Sequence, residues 1–381
     1  MQTTLQAGQV RPRPPRKRSQ AHPGIHPISA FTHRTQRFQP LPPALGEPPY
    51  HYQLATSVSG IGDAKKIVFH TVGDTGGIKN SDYQADVARS IKGDLNSAEP
   101  PVFFYHLGDV VYYNGEIEKY FDQFYEPYDH YAAPIFSIPG NHDGDPIDST
   151  QTSLDGWVRY FMSPTPQVRP ESHDAPRVTM SLPNVYFTLE CPLVTIVGMY
   201  TNVPEHGSID SVQQQWLTHE FDTAPEDKAL ILALHHPVYS FDDHHSGSPR
   251  MADAVQHAIN ESRRVPNLVL TAHVHNYQRI ERAISKKTKI PFLVVGHGGY
   301  YHLHGLNTEP GDDAVDPETG AHLVSANDKQ HGYVTVVVEK DTISGFMTTV
   351  TDSRREGQVG VDEFSYPARP IKLGRDEVIS L

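Results

Sequence analysis

The chain has 381 residues, one cysteine, 32 Lys plus Arg against 45 Asp plus Glu, and a net charge of −13. That length buries a substantial core without staples, and the lone Cys191 can form no intrachain disulfide. The acidic balance argues against nucleic-acid binding through bulk charge, and no apolar run approaches the ~20 residues that cross a bilayer.

Residues 1–50 hold ten of the 32 prolines and seven basic side chains against Glu47 alone. Such a composition buries too little apolar surface to offset its ordering entropy, which predicts a disordered Pro/Arg-rich arm over residues 1–59. After the basic run Arg11–Arg18 comes Ser19-Gln20-Ala21-His22-Pro23, not the apolar stretch of a secretory signal, so a cytoplasmic location is expected. From residue 60 to 351 short apolar runs alternate with amphipathic stretches, the pattern of an α/β domain. Buried strands are predicted at Ile67–His70, Val102–Tyr105, Ile135–Ile138, Ala229–Leu234, Leu268–Leu270 and Phe292–Val295, each short and branched or aromatic. Hairpins are predicted at Val185–Leu189 with Val194–Met199 and at Val334–Glu339 with Thr342–Val350. Helical periodicity covers Asp82–Leu95, Glu116–Tyr131, Leu154–Met162, Val212–Phe221 and Met251–Ser262. Residues 352–381 mix charge, Gly and Pro and are expected to be an irregular tail.

Five short motifs each follow a predicted strand: Gly73-Asp74-Thr75-Gly76, Gly108-Asp109-Val110-Val111-Tyr112, Gly140-Asn141-His142-Asp143, His235-His236-Pro237 and His273-Val274-His275. In α/β sheets ligand sites lie beyond the carboxyl ends of strands, where the chain turns away while its backbone stays anchored. Together these ends offer Asp74, Asp109, Tyr112, Asn141, His235, His273 and His275, an oxygen and nitrogen set suited to hard and borderline metals. The set exceeds the needs of one tetrahedral ion and suffices for two if a carboxylate bridges. A Gly-Asp pair alone is usually a turn, and a lone His-x-His is usually structural. Five such motifs in this order, each at a strand end, set the group apart.

The set resembles the calcineurin-like metallophosphoesterases, and within them the purple acid phosphatases, over about residues 65–350. The wider superfamily opens with Asp-x-His. Here Asp74-Thr75-Gly76 stands instead, as in the purple group, and Tyr112, three residues after Asp109, takes the place of the missing ligand. The resemblance implies a four-layer αββα sandwich with a dinuclear metal site at the strand C-terminal ends. It implies one metal held by Asp74, Asp109, Tyr112 and His275, and another by Asp109, Asn141, His235 and His273, with Asp109 bridging. It also implies Fe(III) at the Tyr112 site and Fe(II), Zn or Mn at the other. Two departures stand out. Ala272 replaces the usual glycine before His273, placing a β-carbon at a tight approach, and Asp143 stands where the family often has glutamate.

His142 follows Asn141, and His244 and His245 follow His235 at the spacing of substrate-facing histidines in the purple group. The resemblance therefore implies that His142, His244 and His245 contact the phosphate or protonate the leaving oxygen, a task suited to a group that exchanges protons near neutrality. The loops Ser163–Arg177 and Leu306–Ala326 are expected to shape the pocket, and His302 and His304 to line its rim. The implied function is dinuclear metal-dependent hydrolysis of a small phosphate ester, a monoester first, by a metal-bound hydroxide attacking phosphorus. A phosphodiesterase acting on a nucleotide, cyclic nucleotide or phospholipid headgroup uses the same fold. A non-catalytic scaffold that kept the fold is the third reading.

Overall fold

The computed structural model describes residues 37–286, 288–350 and 359–381, the side chains of 359–361 excepted. The β-branched and aromatic runs form two sheets because such side chains fit a pleated, buried surface. In the six-stranded sheet Lys66–Val72, Phe103–His106 and Ile135–Ser137 pair in parallel. Gly332–Glu339 lies antiparallel beside Lys66–Val72, followed by Thr342–Thr349 and Val359–Pro367. The eight-stranded sheet runs, in spatial order, His51–Gln53, Phe187–Glu190, Val194–Gly198, Ala229–Ala233, Leu268–Thr271, Lys289–Val295, Tyr277–Ala283 and Ala321–Asn327.

The inner faces of the sheets meet through rings such as Tyr105 on Phe187 (6.4 Å) and Tyr52 on Phe136 (5.6 Å). Helix Asp82–Asp94 covers the outer face of the six-stranded sheet, where Asp94 accepts from Tyr333 Oη at 2.6 Å and lies 3.1 Å from His70 Nε2. Helix Ser211–Thr223 covers the other sheet. Its Gln213 amide bonds both the N–H and the carbonyl of Tyr200, and Trp216 packs on Tyr186 at 4.8 Å. Helix Pro249–Ser262 lies beside it. The result is the expected α/β sandwich of four layers. Parallel strands of both sheets end on one side, and their loops are tied together there. Gly73 N–H donates to the Val295 carbonyl at 2.9 Å, Asp74 N–H to Gly108 at 3.0 Å, and Ala272 N–H to His235 at 3.0 Å.

The structure corrects the sequence reading at three places. Residues 37–59 are not an arm. His51–Gln53 pairs with Thr188–Glu190, Leu45 and Gly46 donate to the Pro183 carbonyl, Trp216 Nε1 donates to Pro49, and Leu54 is fully buried. The prolines of this stretch all precede the strand His51–Gln53, so none interrupts a ladder. The part of the predicted arm before residue 37 lies outside the described residues. The C-terminal stretch is not wholly irregular either, its residues 352–358 lying outside the described residues. Val359–Pro367 is a nine-residue strand, and Arg279 grips its Asp362 with two nitrogens at 2.8 and 2.9 Å. Lastly, Glu116–Tyr131 is not one helix. The chain makes two short turns, Ile117–Lys119 and Phe121–Tyr125, the second ending before Pro127, which has no N–H to continue it.

Candidate metal centre

Asp74, Asp109 and His273 share a left-handed backbone, with φ of 54°, 54° and 66°. Outside glycine that conformation costs about 1–3 kcal/mol and persists only where the surroundings hold it. It ends each strand abruptly and turns the next side chain off the sheet. Gly140 shows the tightness of the packing, since a β-carbon there would sit 2.1 Å from Asp109 Oδ1. The Ala272 departure is absorbed by a matching absence. A β-carbon on Gly73 would lie 2.5 Å from that of Ala272, so one residue's methyl occupies the space the other leaves open.

All seven strand-end donors converge, in two groups. In the first, Tyr112 Oη donates to Asp74 Oδ1 at 3.0 Å, while His275 Nε2 lies 3.3 Å from Tyr112 Oη and 3.6 Å from Asp74 Oδ1. Gln123, on the second short turn, clamps the backbone of Tyr112 through both its N–H and its carbonyl. In the second group His235 Nε2 and His273 Nδ1 lie 3.0 and 2.9 Å from Asn141 Oδ1, and Asp109 Oδ2 is 3.4 Å from His235 Nε2. The groups are tied to each other, because His273 N–H donates to Asp74 Oδ2 at 2.8 Å. Asp143 is the brace beneath. Its carboxylate accepts from the backbone of Gly140, Val110 and Val111, joining two of the motifs.

The electrostatics are those of a site short of positive charge. Burial raises the Asp74 carboxyl well above the usual carboxylate range, with His235 opposing and the Asp109 charge adding to the rise. Burial opposes ionisation of Asp109 too, but the His235 and His142 charges outweigh it and hold that carboxyl well below its ordinary value. Burial likewise works against protonated His235, yet Asp109 carries it up to about 9. Burial, then neighbouring histidines led by His304, push His275 far down. Further positive charge between them would favour ionisation of both aspartates.

The donors fit metal ions on a second ground. His235 Nδ1–H donates to the Leu107 carbonyl at 2.8 Å, which in the neutral ring leaves the Nε2 lone pair facing the Asn141 carbonyl oxygen. Asp109 Oδ2, beside His235 Nε2 in the second group, is buried without any hydrogen-bond partner. Lone pairs gathered in this way, and orphaned in a protein interior, are what a bound cation satisfies. Asp109, His235 and His273 form a candidate ligand cluster whose atoms lie within 4.8 Å of one another.

The three candidate catalytic histidines separate. His142 lies against Tyr112, ring centres 4.6 Å apart, and its Nδ1–H donates to the Tyr113 carbonyl at 2.9 Å. His245 turns inward, 4.6 Å from the His273 ring. His244 turns outward, about half exposed, and stacks on His304 at 4.5 Å. Asp242 divides them by accepting the N–H of both at 2.8 and 2.7 Å. Sequence reasoning missed Asp242, and it missed Glu205, whose carboxylate lies 3.1 Å from His245 Nδ1 and 3.9 Å from His273 Nε2. Glu205 follows the strand Val194–Gly198, so the strand-end rule that found the other motifs also points to it.

Residues 67–277, more than half of the chain, match the family model of the calcineurin-like phosphoesterases. The chain belongs to that family. Among solved structures it is similar to a purple acid phosphatase from yellow lupin (Lupinus luteus) seeds, with a TM-score of 0.59 and 16% identity over 84% of this chain. The chain spans 56% of the length of that lupin protein. It is also similar to GAP50, the anchor in the inner membrane complex of Plasmodium, with a TM-score of 0.58 and 12% identity over 81% of this chain and 91% of that one. A third likeness is to PhoD, with a TM-score of 0.52 and 13% identity over 83% of this chain and 73% of PhoD. At these identities the likeness is one of fold. No curated protein sequence matches the chain. Among the described residues no helix is long and apolar enough to cross a membrane.

Proposed function

We propose that this calcineurin-like phosphoesterase is a metal-dependent phosphomonoesterase of the purple acid phosphatase type. The observation that carries the reading is the meeting of Tyr112 Oη with Asp74 Oδ1 and His275 Nε2 at 3.0 and 3.3 Å, beside a second complete group on Asn141. Likeness of fold at these identities carries no activity by itself, so the reading rests on the donor set. Asp74, Asp109, Tyr112 and His275 would hold one ion, Asp109, Asn141, His235 and His273 the other. The phenol oxygen favours Fe(III) on its side, and the all-N/O second set suits Fe(II), Zn or Mn. When bound, such a pair supplies Lewis-acid stabilisation of the charge that develops on phosphoryl oxygens.

The protein's own groups do the remaining work. His235 is fixed in one tautomer by the Leu107 carbonyl, and Asn141 is held between two imidazoles, so neither reorganises when a ligand arrives. His142 donates Nδ1–H to the Tyr113 carbonyl, which orients the ring, and its imidazole would exchange a proton with the leaving oxygen. His245 keeps a proton more readily than an isolated imidazole. Burial works against this, but the hydrogen bond and charge of Glu205 outweigh it. A protonated His245 would meet the phosphate as a cationic donor, and His244 would approach from the exposed side of the same loop.

Metal counting with a substrate pair tests the reading. The chain should hold two ions and turn over an aryl phosphate faster than its bis-aryl diester; a preference for the diester makes it a phosphodiesterase instead. Iron-loaded protein should be coloured, and Tyr112→Phe, which keeps the ring and removes the oxygen, should be pale while still folded. A colourless wild type under oxidising iron loading would remove Tyr112 from the ligand set.

A further inference from the structure

Beyond the seven strand-end donors, the richest gathering of ligand-type side chains stands at the mouth of the site. Asp242, His244 and His304 each bring one ligand atom to within 4.8 Å of the others. His304 is buried, and its Nδ1 lies 3.5 Å from Asp242 Oδ1 without a hydrogen-bond partner. That separation is near the ~3.3 Å expected between ligands at ~2.0–2.1 Å around tetrahedral zinc. Asp243 Oδ1 is 2.5 Å from His244 Nδ1. A carboxylate on Nδ1–H selects the tautomer whose Nε2 lone pair can take a metal, the arrangement that commonly backs histidine ligands. Asp242 itself is rigidly held, accepting two backbone N–H groups on Oδ1 and the Asn276 amide on Oδ2 at 3.0 Å. The exposed His302 ring stands 6.2 Å from His244 and 5.8 Å from His304.

We propose that Asp242, His244 and His304 form a third metal site, for a zinc-like divalent cation, with water or His302 completing the shell. Two imidazoles and a carboxylate are a donor set zinc uses where a position is left open. None of the strand-end donors is among its ligands, although the His304 ring lies 4.5 Å from that of His275. Its consequence rests on the function proposed above: a cation seated on His244 withdraws that side chain from the substrate. Excess zinc should therefore slow an otherwise active enzyme.

Counting metal separates the alternatives. Full-length wild type, His304→Phe and His244→Phe are equilibrated with excess zinc, desalted, and assayed for bound metal per chain. Phenylalanine keeps a ring in each place and removes both nitrogens. Each variant should carry one ion fewer than wild type, two against three. None against one would still support the rim site while overturning the dinuclear reading. Equal counts in wild type and His244→Phe overturn the rim site whatever the total, even if His304→Phe fails to fold. A rate that is indifferent to zinc, with the third ion bound, overturns the proposed effect on His244.

Discussion

The loops at the strand ends and the two outer segments of the described chain, residues 37–59 and 359–381, are both held by buried polar contacts, yet their partners differ in origin. At the strand ends each donor lies two to six residues beyond its own strand, and the partners are the ends of neighbouring strands. Asp74 meets Tyr112 and His273, and His235 meets Leu107 and Asn141. The outer segments instead complete edges. His51 reaches Glu220 on a helix and Glu190 on a strand, and Asp362 closes on Tyr277 and Arg279. Polar groups thus converge on one another at the strand ends and close sheet edges in the outer segments. Substitutions should accordingly damage different properties.

The largest effect is expected at Asp109, which neighbours both donor groups. Asp109→Ala should lose both ions by elemental analysis and lower turnover by at least ~1000-fold, near the limit seen for removal of a key electrostatic group. Retention of one ion at full strength would show that the groups are independent. His142→Ala should keep both metals and the melting temperature, but slow aryl phosphate hydrolysis by ~100-fold, the scale of a lost general acid. An unchanged rate would leave proton delivery to His245.

The comparison inverts at the N-terminal edge. Leu54→Ala should cost about 2 kcal/mol in urea unfolding, the lower end for a buried leucine, because a short segment can settle into the space. Metal content should not change. If it does, the edge and the site are one cooperative unit. The smallest effect is expected at His51. Its bond to Glu220 raises its pKa above the ordinary 6.5, against the opposing effect of burial. Protonation is therefore favoured in the folded chain. The contribution is complete below pH 6.5 and is lost as pH rises through the raised folded value. His51→Gln should lower the melting temperature more at pH 5.5 than at pH 9, and an equal loss at both would assign His51 a packing role only.

The strand-end motifs were legible because the chemistry is local. A ligand directly after an apolar strand is placed by that strand, whatever the rest of the chain does, and all seven donors do converge. The α/β class was legible for the same reason, from strand and helix periods of a few residues. Composition misled at the edges. Ten prolines in the first fifty residues read as an arm, yet Pro49 accepts from Trp216 and the nearby Leu54 is fully buried. The tail's charges read as loop, yet Asp362 is neutralised by an arginine some eighty residues earlier.

By itself the sequence determined which residues could bind metal and that they would stand at the carboxyl ends of strands, since both follow from neighbours within one element. Only the tertiary structure decided the rest: that His245 turns toward His273 while His244 turns toward His304, and that Glu205 and Asp242 join them. Those outcomes depend on left-handed turns and on partners from separate strands. The energy of such contacts is set by distances between residues far apart in the chain, which no local pattern encodes.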